Sequence, residues 1–411
     1  MNCFRCLLFL TLIIVFSTSH SAEWFAEPSV IVSSQYDDNF YLRTTNELDT
    51  SSLIIDPNLR FEGQDERWSF KLDARFRAVK YYDISNTDSN NVFLKLKHSY
   101  LLESGQLGLS ANLDRNTTFD RNYDTQLLEA GLSELQIERD TLTVEPYWDW
   151  KISEIISSRL NLKVTDIQHG DNAPSNYNDY NSQEISLMSN WSQTEKSVWG
   201  MILKSTHLEV SDLDYENEQR TVQVYYDHSY TENSKLSILG GKTKVAYLYN
   251  NYPVCTGFID PFLGCVFGAY VLIDNESSST VSEYSIGYAH ANELGDFNLN
   301  AYRSVRSSSS GSATQNDALS INYLRKITER VSGEFLLVRD VTESIDGLDV
   351  NQDREVSRLQ PSVSWKLSKY WNLSFRYRYI KQVITSTDVE STSNSILAVL
   401  SLKWPKLISI N

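Results

Sequence analysis

Apolar and polar residues alternate with a period of two through this chain, in segments of about ten residues separated by turn residues. In Leu359-Gln360-Pro361-Ser362-Val363-Ser364-Trp365-Lys366-Leu367 one set of alternate positions is Leu, Pro, Val, Trp and Leu, and the other is Gln, Ser, Ser and Lys. After a turn at Ser368-Lys369-Tyr370 the pattern resumes in Trp371-Asn372-Leu373-Ser374-Phe375-Arg376-Tyr377-Arg378-Tyr379. Successive strand side chains point to opposite faces, so each segment has one apolar face and one polar face.

The strand, short turn, strand unit recurs. Tight turns fall near Gln64-Asp65-Glu66, Glu103-Ser104-Gly105, Ser153-Glu154-Ile155, Thr194-Glu195-Lys196 and Thr231-Glu232-Asn233-Ser234. Three more fall near Asn292-Glu293-Leu294-Gly295, Ile327-Thr328-Glu329-Arg330 and Lys369-Tyr370. Between these hairpins lie longer polar stretches, at residues 83–90, 170–182, 211–217 and 250–279. Eight hairpins, a lone strand before them at residues 29–36 and another after them at 395–404 give about eighteen strands, an even number. Residues 116–140 read as a long outer loop with 127–137 packed on or near the wall; as a hairpin they would raise the count to twenty, within a range of sixteen to twenty.

The expected fold is therefore all-β: a transmembrane antiparallel barrel with short periplasmic turns and long extracellular loops. A soluble sandwich or propeller also alternates. Against it stand the loop asymmetry and the aromatics near strand ends: Tyr81, Tyr82, Trp148, Trp150, Trp365, Trp371, Tyr379 and Trp404 suit interfacial girdles. Mean hydropathy on the soluble side is no objection, because lipid-facing and lumen-facing residues average out.

The amino terminus reads as a secretory signal. Arg5 supplies the basic region, residues 7–16 form an apolar core too short to span a bilayer, and cleavage after Ser21 or Ala22 fits the small-residue rule. The domain plan is a signal peptide at 1–22, an outer-membrane barrel at 23–404 and a short periplasmic tail at 405–411. Cys3 and Cys6 leave with the signal. Cys255 and Cys265 remain, and a cysteine pair in an exported protein reads as a disulfide, with two free thiols as the other reading.

The net charge of −16 disfavours a nucleic-acid partner. If the apolar face of each strand meets lipid, Lys71, Arg75, Arg77, Lys95, Lys97, Lys163, Arg358, Lys366, Arg376 and Arg378 face the lumen. The inward acids by the same test are Asp56, Glu62, Asp73, Asp114, Asp227 and Glu334, so the lumen reads as mixed to basic. Such a wall either fills a barrel with internal ion pairs or biases a pore towards anions. The balancing acid is expected in outer segments, at Asp37, Asp38, Asp171, Asp179, Asp212, Asp214, Glu216, Glu218, Asp346, Asp349 and Asp353. No segment has EF-hand spacing, no HExxH or glycine-rich phosphate loop is present, and the one C-x-x-C spacing, Cys3-Phe4-Arg5-Cys6, lies in the signal segment. The sequence thus points to no enzyme, no metal and no cofactor. The expected partners are outer-membrane lipid and lipopolysaccharide.

Two stretches carry a resemblance. Tyr36-Asp37-Asp38-Asn39-Phe40 ends the first strand, and Glu138-Arg139-Asp140-Thr141-Leu142-Thr143-Val144-Glu145-Pro146-Tyr147-Trp148-Asp149-Trp150 leads through Lys151-Ile152-Ser153-Glu154 into a hairpin. Both resemble the β-barrel porin family whose members occur with exopolysaccharide and exosortase gene clusters, and the strand rhythm matches over most of the chain. The resemblance implies an outer-membrane pore linked to the polysaccharide export machinery, exporting an anionic polysaccharide or another solute, and brings no catalytic residues. The other readings are a plugged structural barrel and a surface receptor or adhesin acting through its outer loops. The chain departs from the usual barrel ending, since Trp404 is followed by Pro405 to Asn411 rather than closing the sequence.

Overall fold

The computed structural model describes residues 23–406 apart from 85–86, 118–135, 172, 174–177, 211–214, 256–257, 261–263, 267–269, 308–312 and 346–352. The strands, in chain order, are β1 (Glu23–Asp37), β2 (Thr50–Gln64), β3 (Trp68–Tyr81), β4 (Ser89–Leu102), β5 (Gly105–Thr117), β6 (Glu138–Lys151) and β7 (Ile156–His169). They continue as β8 (Tyr180–Thr194), β9 (Ser197–Val210), β10 (Tyr215–Thr231), β11 (Ser234–Cys255), β12 (Phe258–Asp260), β13 (Gly264–Val266) and β14 (Tyr270–Asn292). The last are β15 (Gly295–Ser307), β16 (Ala313–Lys326), β17 (Val331–Ser344), β18 (Arg354–Lys366), β19 (Trp371–Ile384) and β20 (Val389–Lys403).

Among the described residues, β12 and β13 pair only with each other, and the rest form one 18-stranded antiparallel sheet. β1 pairs with both β2 and β20, which closes the sheet into a barrel. Closure satisfies the backbone groups that an open edge would expose, the condition for crossing a bilayer with strands.

The distribution of exposure identifies the solvent outside. Phe375 is 55% exposed, Ile396 59% and Val222 54%, whereas inward-facing Asn217 and Arg358 are 0% and 2% exposed. Apolar side chains out and polar side chains in is the reverse of a protein in water, and it fits a barrel in lipid. The apolar band is bracketed. At the short-turn end Trp148 lies 5.0 Å from Trp150, Trp199 4.5 Å from Tyr226, and Trp24 stacks on Phe61 at 5.0 Å. At the other end outward ion pairs mark the return to water: Arg115–Asp140 at 2.6 Å, Arg303–Asp317 at 2.6 Å, Arg339–Glu355 at 2.8 Å and Lys381–Glu390 at 2.7 Å. The chain is a transmembrane barrel of the outer-membrane type.

The turns join neighbouring strands at one end. At the β4–β5 turn Gly105 is required, because a Cβ there would meet the backbone oxygen of Asp149 at 2.0 Å. Elsewhere side chains close the turns: Ser368 Oγ accepts from the amides of Tyr370 and Trp371, and Asn292 Oδ1 accepts from those of Leu294 and Gly295.

β5 pairs directly with β6 from Gly105↔Trp150 to Thr117↔Glu138, so the wall has no extra hairpin between them and keeps the expected eighteen strands, although 116–117 and 138–140 belong to those strands rather than to the loop. Several other expectations are corrected. The stretch 250–279 is not all loop: β11 runs on to Cys255 and β14 begins at Tyr270, each still paired with the other. Asp37, Glu216 and Glu218 lie on strands rather than in loops. Tyr81 is no girdle residue: it is buried, faces inward and packs on Phe40 at 5.1 Å. The signal segment and the Cys255 and Cys265 side chains fall outside the described residues.

Candidate functional site

The seam where β20 meets β1 places two groups of arginines side by side that are some three hundred positions apart in sequence. Gln35 of β1 pairs with Leu397 of β20, which pairs with Arg376 of β19. On the other side Ile31 of β1 pairs with Asp56 of β2, and Asn58 pairs with Arg75 of β3. Alternation puts Gln35, Asp56, Arg75, Arg77, Arg376 and Arg378 on the concave face, where they line one cavity of about 220 Å³.

Its charges are partly neutralised. Arg77 Nε donates to Asp56 Oδ2 at 3.0 Å, and Arg75 Nε lies 3.8 Å from Asp56 Oδ1. The same two guanidinium groups sit over the Phe93 ring, at 4.1 Å for Arg75 and 5.6 Å for Arg77. Across the seam Arg378 lies 3.4 Å from Asp37, whose carboxylate also accepts from Ser393 Oγ at 2.6 Å and Ser395 Oγ at 2.8 Å. Three of these arginines thus share two buried carboxylates, Arg75 and Arg77 on Asp56 and Arg378 on Asp37, while Arg376 lines the same cavity with no carboxylate within ion-pair distance among the described residues. A guanidinium has five N–H donors and cannot shed its charge, so this wall keeps more donors than acceptors.

Arg358 extends the group. It pairs in register with Ile380 and Val338, which makes Arg378 and Asp340 its diagonal neighbours. No acceptor reaches Arg358 Nε, Arg358 Nη2 or Arg376 Nε among the described residues. Buried donors without acceptors are costly, and an anion or water arriving in the lumen would relieve that cost.

Towards the turn end the wall becomes a mixed ladder. Arg60 bonds Asp73 at 2.9 Å, and Lys71 lies 3.5 Å from Glu62 and 3.8 Å from Asp73. Lys95 and Lys97 stand opposite Asp73 and Lys71 in register and are exposed. Lys366 is exposed at the turn end of β18. Lys163 belongs to a different wall, opposite Glu184 of β8. Arg60 is an inward cation that the sequence reading did not single out. Its signal was available, because exposed Leu59 beside it fixes the parity of β2.

The other wall is covered at its loop half. Inward-facing Ile167, Tyr180, Leu208, Val210, Val245, Tyr247 and Val281 form one buried cluster with Val305 and Ala313. In an open lumen these side chains would be wet. Their burial means that the interior is covered at this level, while the turn half, with Lys95, Lys97 and Lys366, is exposed.

No protein-family model matches the chain, and no curated protein matches it. Among solved structures, OccAB1 of Acinetobacter baumannii is 9% identical with a TM-score of 0.49, over 94% of this chain and 97% of that one. OpdQ of Pseudomonas aeruginosa is 8% identical with a TM-score of 0.47, over 95% and 100%. The ferric-catecholate import receptor Fiu of E. coli K12 is 7% identical with a TM-score of 0.48, over 92% and 81%.

Proposed function

We propose that this barrel is a passive outer-membrane pore whose arginine wall favours anionic solutes, with the short-turn end in the periplasm. The observation that carries the reading is the convergence of Arg75, Arg77, Arg376 and Arg378 on one cavity, with Asp56 as the partner of Arg75 and Arg77 and Asp37 as the partner of Arg378. A barrel of this strand number leaves room for an aqueous path. Fixed cations beside water in a low-dielectric wall raise the local anion concentration by focusing the field. In a planar bilayer under a KCl gradient, the reversal potential is expected to report anion-over-cation permeability at low salt, weakening as salt screens the wall. Arg376→Gln with Arg378→Gln is expected to reduce that preference severalfold, and Asp56→Asn to increase it by releasing Arg75 and Arg77. A cation-selective open pore would defeat the charge argument.

The finer reading makes the anion an exopolysaccharide delivered by an export machinery. It is supported by the resemblance of Tyr36 to Phe40 and of β6 to the exosortase-associated porins. A second reading, a plugged barrel serving as a structural part of such a machinery, is favoured by the covered loop half. It predicts no conductance in any of these variants. Export through an oxidising compartment also implies removal of residues 1–22 and a Cys255–Cys265 bridge. Both thiols are then expected to resist alkylation until reduced, and the double Cys→Ser variant to insert normally, because a change of side chain leaves the backbone pairing of β11 with β14 in place.

A further inference from the structure

The outer wall of β10, β11 and β14 presents three cations to the membrane. On the lipid side Val224, Gly240 and Tyr284 form one register row, Val222, Lys242 and Ser282 the next, and Arg220, Lys244 and Thr280 the row above. Val222, Val224 and Tyr284 are exposed, as are Lys242, Lys244, Thr280 and Ser282. Four outward cations on other strands at a similar height, Arg115, Arg303, Arg339 and Lys381, each hold a carboxylate at 2.8 Å or less. Arg220 bonds Glu218 at 3.1 Å, but Lys242 and Lys244 have no ion pair among the described residues.

Depth matters here. Lys242 lies eight positions from Ser234 at the turn end of β11. At about 3.3 Å per residue and a tilt near 40°, that is roughly 20 Å up the wall, close to the far edge of a band about 25 Å tall. Immediately below Lys242, Gly240 makes a notch between Val224 and Tyr284, and a Cβ there would meet nothing within 4 Å. Two free ammonium groups and two hydroxyls above an apolar groove match a phosphate attached to an acyl chain.

We infer that this face binds a phosphorylated, multiply acylated glycolipid of the outer leaflet, the lipid A part of lipopolysaccharide. Lys242 and Lys244 take the phosphate, with Arg220 beside them, and one acyl chain lies over Gly240. The inference rests on placing the long-connection end at the cell surface and is independent of whether the lumen conducts.

The test is native mass spectrometry of the full barrel in detergent with bisphosphorylated lipid A, its dephosphorylated form and phosphatidylglycerol as probes. Bisphosphorylated lipid A is expected to be retained in preference to the other two. Lys242→Gln with Lys244→Gln is expected to weaken it by about tenfold or more, and the double Arg variant at the same positions to retain it. Gly240→Leu keeps every charge and has room in the protein, so it is expected to weaken lipid A binding with the heat-modifiable gel shift of the folded barrel intact. Arg303→Gln with Arg339→Gln is expected to change nothing. Unchanged binding in both the Lys→Gln and Gly240→Leu variants would overturn the inference, as would equal binding of the dephosphorylated lipid or of phosphatidylglycerol.

Discussion

Replacing Asp37 with Ala is expected to destabilise the barrel by about 3 kcal/mol, the scale for removing one member of a buried ion pair. Asp37 ends β1 and is 5% exposed. Its carboxylate takes the Ser393 and Ser395 hydroxyls, the Asn39 amide at 3.2 Å and Arg378. All but Asn39 belong to β19 or β20, so one side chain ties the first strand to the last two. That seam is short: β1 pairs with β20 only from Ser29 to Asp37, whereas it pairs with β2 along its whole length. Asp37→Asn keeps an acceptor but loses the charge, and should fall between wild type and Ala. Urea titration of protein folded in vesicles, read by tryptophan fluorescence, would measure the loss. An Ala variant with the wild-type midpoint would mean that backbone pairing alone holds the closure.

The turns were legible because their chemistry is local. Thr328 Oγ1 closes the β16–β17 turn on the amides of Arg330 and Val331, and Ser368 does the same before Trp371. Such contacts span two or three residues, so composition reveals them. The strands were legible because lipid on one side and polar interior on the other impose the same alternation everywhere. Where lipid ends, that signal ends. The upper parts of β11 and β14 continue as a paired ribbon whose extent is set by each other, which is why 250–279 looked like loop. Tyr81 looked like a girdle residue because it sits at a strand end, but its parity is inward, where Phe40, Ile54 and Val79 give it an apolar site.

Parity also placed the basic residues one by one on a face. It could not say which of them meet, because the β1–β20 contact joins positions near 30 to positions near 400 and no local pattern encodes it. The arginines of β3 and β19 therefore read as two separate pairs, and the structure makes them one site. Asp37 was missed for a related reason. An acidic residue beside Asp38 and Asn39 reads as the start of a loop, and only the partner strand shows it to be a buried acceptor.

Phe375→Arg is expected to cost roughly 2–4 kcal/mol, the price of a lipid-facing arginine near the bilayer midplane. Phe375 lies between outward Leu373 and Tyr377, opposite Val363 on β18 and Ala398 on β20. Val363 is as open to the exterior as Phe375, so no neighbouring side chain would shield a charge. Trp371 bounds the band on one side and the Lys381–Glu390 pair on the other, which leaves Phe375 near the centre and short of both interfaces. An arginine there would have to bend along the wall to reach water. The adjacent position has the opposite environment. Arg376→Gln removes an inward charge that lines the same cavity as Arg378 and has no carboxylate partner among the described residues, and its effect on stability should be much smaller. The two variants compared in one urea series separate a lipid-face effect from a general loss of packing. Single cysteines placed at 375 and 376 give an independent reading: a label at 375 should be quenched by a lipid-phase quencher and one at 376 by an aqueous quencher. A wild-type midpoint for Phe375→Arg together with aqueous quenching at 375 would reverse every inward and outward assignment on β19, and with it the placement of the arginine wall.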